Sequence, residues 1–159
     1  MKGKEIIIPI FNSLLSDELT AINQYMVHSK MCENWGYQKL GVAIRKQAMD
    51  EMKHAEWLIE RILFFESIPT VSLLHTIKIG TNVPEIIAND NDDEFVALHS
   101  YNIAIKNAFD IDDQGSVELL TRILKMEEGH VEWAEQQQTQ IQQIGIENYL
   151  AHQTECIPG

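Results

Sequence analysis

Glu51-Met52-Lys53-His54 and Glu127-Glu128-Gly129-His130 are one motif written twice, a glutamate followed three residues later by a histidine. Residues three apart share a face of an α-helix. Each motif can therefore aim a carboxylate and an imidazole at one point. Alone, neither decides the fold, because both residue types are ordinary on a solvated helix. The spacing around them does. Glu18 precedes Glu51 by 33 residues, and Glu94 precedes Glu127 by 33. At an offset of 76, Glu18 falls on Glu94, Tyr25 on Tyr101, Glu51 on Glu127 and His54 on His130. Glu56-Trp57 falls on Glu132-Trp133 in the same register. Each tyrosine follows its glutamate by seven residues, two turns along the same helix face. The chain thus reads as a duplicated helix pair, each copy supplying a glutamate and then a Glu-x-x-His.

Outward from these motifs, helical periodicity dominates. A first helix is expected from about Lys4 to Trp35, with Pro9 tolerated near its start. Its inward stripe is Leu14, Glu18, Ala21, Tyr25, His28 and Cys32; a second stripe, Leu15, Leu19, Ile22 and Met26, suits a partner. Gly36 stops it, and a second helix is expected from about Tyr37 to Glu66. Residues 67–81 contain Pro69 and Gly80 and show no helical period. So long a connection inside a compact domain makes sense if it carries the chain along the bundle to start the next helix parallel to the last. Asn82, Pro84 and Glu85 form the start of a third helix, which runs to about Ile111. Asp112 or Asp113 caps a fourth, ending near Ile144 before Gly145, and a short fifth covers Ile146 to about Gln153. The expected fold class is all-α, a four-helix bundle with a long crossover between helices 2 and 3 and a short C-terminal fifth helix, as one domain over residues 1–159.

Bulk properties agree. The 159 residues are 45% hydrophobic with only four prolines, which favours a single core of long helices. A net charge of -12 with no Lys/Arg stripe argues against nucleic acid and suits cationic cargo. Ile6-Ile7-Ile8 is too short for a signal-peptide core, and no apolar run is long enough to span a bilayer, so a cytoplasmic protein is expected. Cys32 and Cys156 form no CxxC pair and read as free thiols. Asp90, Asp92 and Asp93 read as a solvated face.

Glu18, Glu51, His54, Glu94, Glu127 and His130 form the ligand pattern of a di-iron or di-manganese centre built inside a helical bundle. Four carboxylates buried together without cations would repel one another or bind protons, and two divalent ions offset that charge. Carboxylate and imidazole suit iron or manganese. Glu51 and Glu127 are expected to bridge, with Glu18 and Glu94 terminal and one histidine per ion. Tyr25 and Tyr101 either bond ligand carboxylates or are core aromatics with a satisfied hydroxyl.

With these residues in place the chain resembles the bacterioferritins, from its first residues through Asn148-Tyr149-Leu150. Residues 17–25, 50–55 and 127–130 carry most of the likeness. All six ferroxidase ligands of that family fall on the six residues named above, and ordinary ferritins usually lack the second histidine. The resemblance implies a ferritin-like shell of 24 subunits built from two-fold dimers. It would oxidise Fe(II) with oxygen or peroxide at two irons per subunit and store ferric mineral. It also implies a b-type haem shared between two subunits, with Met52 as its axial ligand, and iron release through a ferredoxin-type reductant. On position alone Met52 reads as an interface methionine, pointing about 100° away from Glu51 around the helix. One departure is plain. The family's additional inner-surface iron site uses a histidine and an aspartate, and this chain has Lys46 and Asp50 there. Competing readings are a soluble di-iron or di-manganese peroxidase or catalase, and a haem-binding shell with a silent metal site.

Overall fold

The computed structural model describes residues 1–155, so Cys156 lies outside the described residues. A 3-10 turn over Glu5–Ile7 leads into α1 (Ile8–Asn34), followed by α2 (Gln38–Phe64), α3 (Val83–Asp110), α4 (Gln114–Ile144) and α5 (Ile146–Gln153). The first α-helix starts later than expected. Pro9 has no N–H to give and its ring crowds the carbonyl four residues back, so the preceding residues wind more tightly. Ile7 N–H accordingly bonds the Lys4 carbonyl at 3.1 Å.

The other boundaries follow local chemistry. The Asn82 side chain caps α3 by accepting the Glu85 N–H at 2.9 Å. The reciprocal bond of a capping box is displaced by one residue: Glu85 accepts the Thr81 N–H, at 2.8 Å, rather than that of the cap. Asp113, not Asp112, caps α4, accepting the Ser116 N–H at 3.1 Å and pairing with Arg61 at 2.7 Å. Gly145 turns the chain from α4 into α5 at φ 80°, a conformation open to glycine without strain.

The result is a ferritin-like four-helix bundle. α1 pairs with α2 and α3 with α4; the two hairpins face each other through α1–α3 and α2–α4 contacts. The inward stripe Leu14, Glu18, Ala21, Tyr25, His28 and Cys32 is buried as expected. Leu15 departs from its stripe: it is fully buried in the core, whereas Leu19, Ile22 and Met26 are half-buried against it. The apolar core is in two parts. One holds Phe11, Leu58, Ile62 and Leu120; the other holds Leu40, Ile44, Ile86 and Tyr149. Along every long helix, the glutamates of the Glu/His set fall between them.

Residues 67–81 run as an extended strap beside α1. Backbone N–H groups of Thr70, His75, Lys78 and Gly80 donate to Asn12 Oδ1 (2.8 Å), Thr20 Oγ1 (2.9 Å), Gln24 Oε1 (2.9 Å) and His28 Nε2 (3.0 Å). The partners rise together in both segments, so the strap travels in the direction of α1. It delivers α3 to the end of the bundle where α1 finishes, parallel to α2. A Cβ on Gly80 would sit 2.6 Å from the Ile86 nitrogen, so only glycine allows the strap to close onto α3. Asp90 completes the closure. It is 5% exposed and accepts from Gln24 Nε2 at 2.8 Å and His28 Nδ1 at 2.7 Å. The Gly80 N–H can only donate, so His28 Nε2 accepts and the ring proton sits on Nδ1, facing Asp90. Asp90 is therefore a buried clasp and not part of a solvated face; Asp92 is exposed, as that reading expects.

Candidate metal centre

Six side chains from four helices meet midway along the bundle. Glu18 comes from α1, Glu51 and His54 from α2, Glu94 from α3, and Glu127 and His130 from α4. None is more than 6% exposed. They form two four-residue groups, Glu18-Glu51-His54-Glu127 and Glu51-Glu94-Glu127-His130, each with one ligand atom per residue within 4.8 Å of the others. Glu51 and Glu127 belong to both groups, which is the placement expected of bridging residues.

Each imidazole turns Nδ1 toward the carboxylates. His54 Nδ1 lies 2.8 Å from Glu127, 3.3 Å from Glu51 and 3.5 Å from Glu18. His130 Nδ1 lies 3.0 Å from Glu51, 3.2 Å from Glu94 and 3.5 Å from Glu127. One N–H cannot serve three acceptors. Glu18 Oε2, Glu51 Oε1 and both Glu127 oxygens accordingly remain buried without a hydrogen bond. Orphaned carboxylate oxygens are costly in a protein interior. A first-row divalent ion with ligands at roughly 2.1 Å sets neighbouring ligand atoms about 3.0–3.4 Å apart. Three of the six spacings around the two Nδ1 atoms fall in that range, and the other three lie within about 0.2 Å of it. The donor set fits two such ions, and they would satisfy the oxygens that nothing else satisfies.

Electrostatics point the same way. Burial pushes the Glu51 and Glu94 carboxyls well above the usual range, and the charges of neighbouring glutamates push them further. Glu127 is held well below it: burial opposes, but the close polar contacts of Glu94, His130 and His54 prevail. Burial disfavours the imidazolium of His54, yet contacts with Glu127, Glu18 and Glu51 push it up to about 12. His130 is raised for the same reasons, with Glu127, Glu51 and Glu94 as partners. The cluster thus draws protons wherever cations do not balance it.

The tyrosines cross between halves. Tyr25 donates to Glu94 at 2.5 Å, and Tyr101 donates to Glu18. Each hydroxyl orients the carboxylate of the opposite hairpin, and burial raises both phenols well above their ordinary value. This settles the open alternative: they are partners of the glutamates, and core aromatics as well. A cavity of about 110 Å³ reaches the cluster from outside, lined by Glu18, Glu51, Glu94 and Glu127 at depth and by His75, Asp17 and Asp93 nearer solvent. His75 Nε2 pairs with Asp17 at 2.9 Å, and Lys78 pairs with Asp93 at 3.1 Å.

Two contacts escaped the sequence reading, which named Asp50 only at the inner-surface position and did not name Met126. His130 Nε2 meets Asp50 Oδ2 at 3.1 Å, and His54 Nε2 meets Met126 Sδ at 3.3 Å. The signal was available: Asp50 and Met126 each immediately precede the glutamate of their motif, and they are 76 residues apart. Lys46 is exposed one turn before Asp50. Met52 is 40% exposed and makes no part of the Glu/His cluster. Cys32 is a buried free thiol, which burial pushes up to about 12.

Known proteins are similar to this chain over nearly its whole length. The ferritin-like domain description matches residues 8–144. A bacterial ferritin of Synechocystis is 40% identical over 96% of this chain and 99% of its own length. A bacterioferritin of Brucella melitensis is 36% identical over 94% of this chain and 92% of its own. A bacterioferritin of Mycobacterium leprae is 34% identical over 95% of each. With the bundle, the crossover and the duplicated Glu/His set already in place, likeness at this level over nearly the full length means that the chain belongs to the ferritin-like family, among its bacterioferritins.

Proposed function

We propose that this chain is one subunit, a single domain over residues 1–159, of an iron-storing shell that oxidises Fe(II) at a di-iron centre. The observation that carries this reading is the set of orphaned carboxylate oxygens on Glu18, Glu51 and Glu127, which converge on two imidazoles that have too few N–H groups to satisfy them. Fe(II) is the substrate. Each ion loses one electron, and oxygen or peroxide takes the electrons up. Glu18 and His54 hold one ion, Glu94 and His130 the other, and Glu51 and Glu127 bridge them. Tyr101 and Tyr25 keep the terminal carboxylates in place. The cavity past Asp17, His75 and Asp93 is the route from outside, and its carboxylates favour cations.

Exposed apolar side chains support an assembly. Val71, Leu73 and Leu74 of the strap, and Met49, Met52, Leu63 and Phe64 of α2, present large apolar side chains to solvent. A bundle of this size does not need so many unless other subunits cover them. A shell of 24 subunits built from two-fold dimers would do so. Met52 is free to reach a group outside its own bundle, so it fits the haem that the family places between two subunits; the haem would supply a path for electrons into the ferric mineral, which reduce it to Fe(II) for release. A ferredoxin-type reductant would feed it. No helix of the described residues is long and apolar enough to cross a membrane, and the chain is read as cytoplasmic. Lys46 replaces a ligand of the inner-surface iron site with a cation, so ferric ions leave the centre without that relay.

The deciding experiment adds two Fe(II) per subunit to apo-protein in air and follows near-ultraviolet absorbance, with the Soret band recorded first. A fast phase saturating at two irons per subunit, then slower uptake, is expected. Its absence would overturn the ferroxidase reading and favour a manganese peroxidase or catalase, which peroxide turnover by the manganese-loaded protein would identify.

A further inference from the structure

The two ion positions of this centre are matched almost atom for atom. Each has a terminal glutamate held by the tyrosine of the opposite hairpin, a share of Glu51 and Glu127, and one imidazole offering Nδ1. The match fails at one place, the side chain behind each histidine. Residues 50 and 126 are equivalent in the internal repeat, and each reaches across to the histidine of the other hairpin. Behind His130 stands the carboxylate of Asp50, at 3.1 Å from Nε2; behind His54 stands the thioether of Met126, at 3.3 Å.

These partners differ in kind. An ion at Nδ1 draws electron density from the ring and makes the opposite N–H more acidic. A carboxylate stabilises that N–H strongly; a thioether is a weak acceptor and carries no charge. A carboxylate behind a metal-bound histidine also fixes the ring and raises its basicity, and its removal costs about 10–100-fold in metal affinity. Lys46 does not cancel this effect: among the described residues, the one ion pair of Asp50 is with His130.

We infer that the two metal positions are unequal, with Asp50 making the His130 position the tight one and Met126 leaving the His54 position weaker and more exchangeable. This rests on the reading of the six residues as a two-metal centre. Asp50 is then a positioning residue for His130, a role that needs no ligand at position 46.

Cobalt(II) tests it without iron oxidation. Apo-protein is titrated with Co(II) and followed by its visible d–d absorbance. The unmodified protein should bind two ions in separable steps, their affinities differing by about 10–100-fold. His54→Ala leaves only the His130 position and should retain the tight step; His130→Ala should retain the weak one. Asp50→Asn should weaken the tight step by about tenfold or more and leave the weak step and its spectrum unchanged. Met126→Asp, which restores the symmetry, should strengthen the weak step by a similar factor. Two equal steps in the unmodified protein would overturn the inference while leaving the centre intact. So would a tighter His54 position, or equal weakening of both steps by Asp50→Asn. Failure to bind two Co(II) at all would overturn the centre and this inference with it. If Asp50→Asn does not fold, the unmodified protein and Met126→Asp still decide.

Discussion

The α1–α2 hairpin and the α3–α4 hairpin carry the same chemistry on the inside and different jobs on the outside. Inside, Glu18 and Glu94, Tyr25 and Tyr101, Glu51 and Glu127, and His54 and His130 occupy equivalent places. Outside, only α1 holds the strap. Its acceptors Asn12, Thr20, Gln24 and His28 have Ala88, Val96, Ser100 and Ala104 at the equivalent positions of α3. Only α2 carries an exposed methionine after its first motif glutamate; α4 has Glu128 there. Under the proposed function, the difference teaches that the duplicated interior answers to one requirement, balanced ligation of two cations. The exterior answers to constraints that apply to one hairpin alone: the crossover must lie somewhere, and in the proposed shell some faces would meet other subunits.

The comparison breaks most visibly if one terminal glutamate matters and its twin does not. Glu18→Ala and Glu94→Ala should each lower the fast phase of iron oxidation by more than the roughly 10–100-fold typical of an outer partner, and to a similar extent. Stopped-flow absorbance on the assembled protein checks this; a normal rate in either variant would remove that residue from the centre.

A smaller effect concerns protons. Glu51, Glu94, His54 and His130 are all pushed toward their protonated forms when no cation is bound. Cations must displace those protons, so metal affinity should rise with pH, by about tenfold per unit for each proton released. Titrations with Co(II) between about pH 6 and 8 should show proton release into a weak buffer. Affinity that falls as pH rises would contradict the charge balance described here.

The outer difference between hairpins is tested by stability. Asp90→Ala strands the Gln24 amide and the His28 N–H in the core and should cost about 2–4 kcal/mol. Ser100→Ala, at the α3 position equivalent to Gln24, should stay within about 0.5 kcal/mol. Urea unfolding of the apo-protein measures both, and equal losses would mean that the strap is not what Asp90 secures. The smallest expected effect on iron oxidation is that of Met52→Leu: if the proposed haem is bound there, the variant should lose the Soret band and keep the original oxidation rate. Retained haem in that variant would exclude Met52 as the axial ligand.

Local pattern was enough for the helices, for the crossover and for six convergent residues. Helical period, caps and breakers act over a few residues, and a ligand set repeated at a fixed offset survives projection onto one dimension. Asn82, Asp113 and Gly145 lie at the helix ends that their side chains or backbone dictate. What needed three dimensions was the identity of partners from different helices. Asp90 looks like any acidic residue of a polar run until α3 is laid against α1 and the strap, where Gln24, His28 and Gly80 surround it. Leu15 belongs to the core because the bundle closes over more of α1 than one narrow stripe. Asp50 and Met126 reach histidines on the opposite hairpin, a contact that no spacing along one helix encodes. Periodicity specifies which face of a helix turns inward; which atoms then stand behind each ligand is settled only when four helices pack and their side chains compete for the same few ångströms.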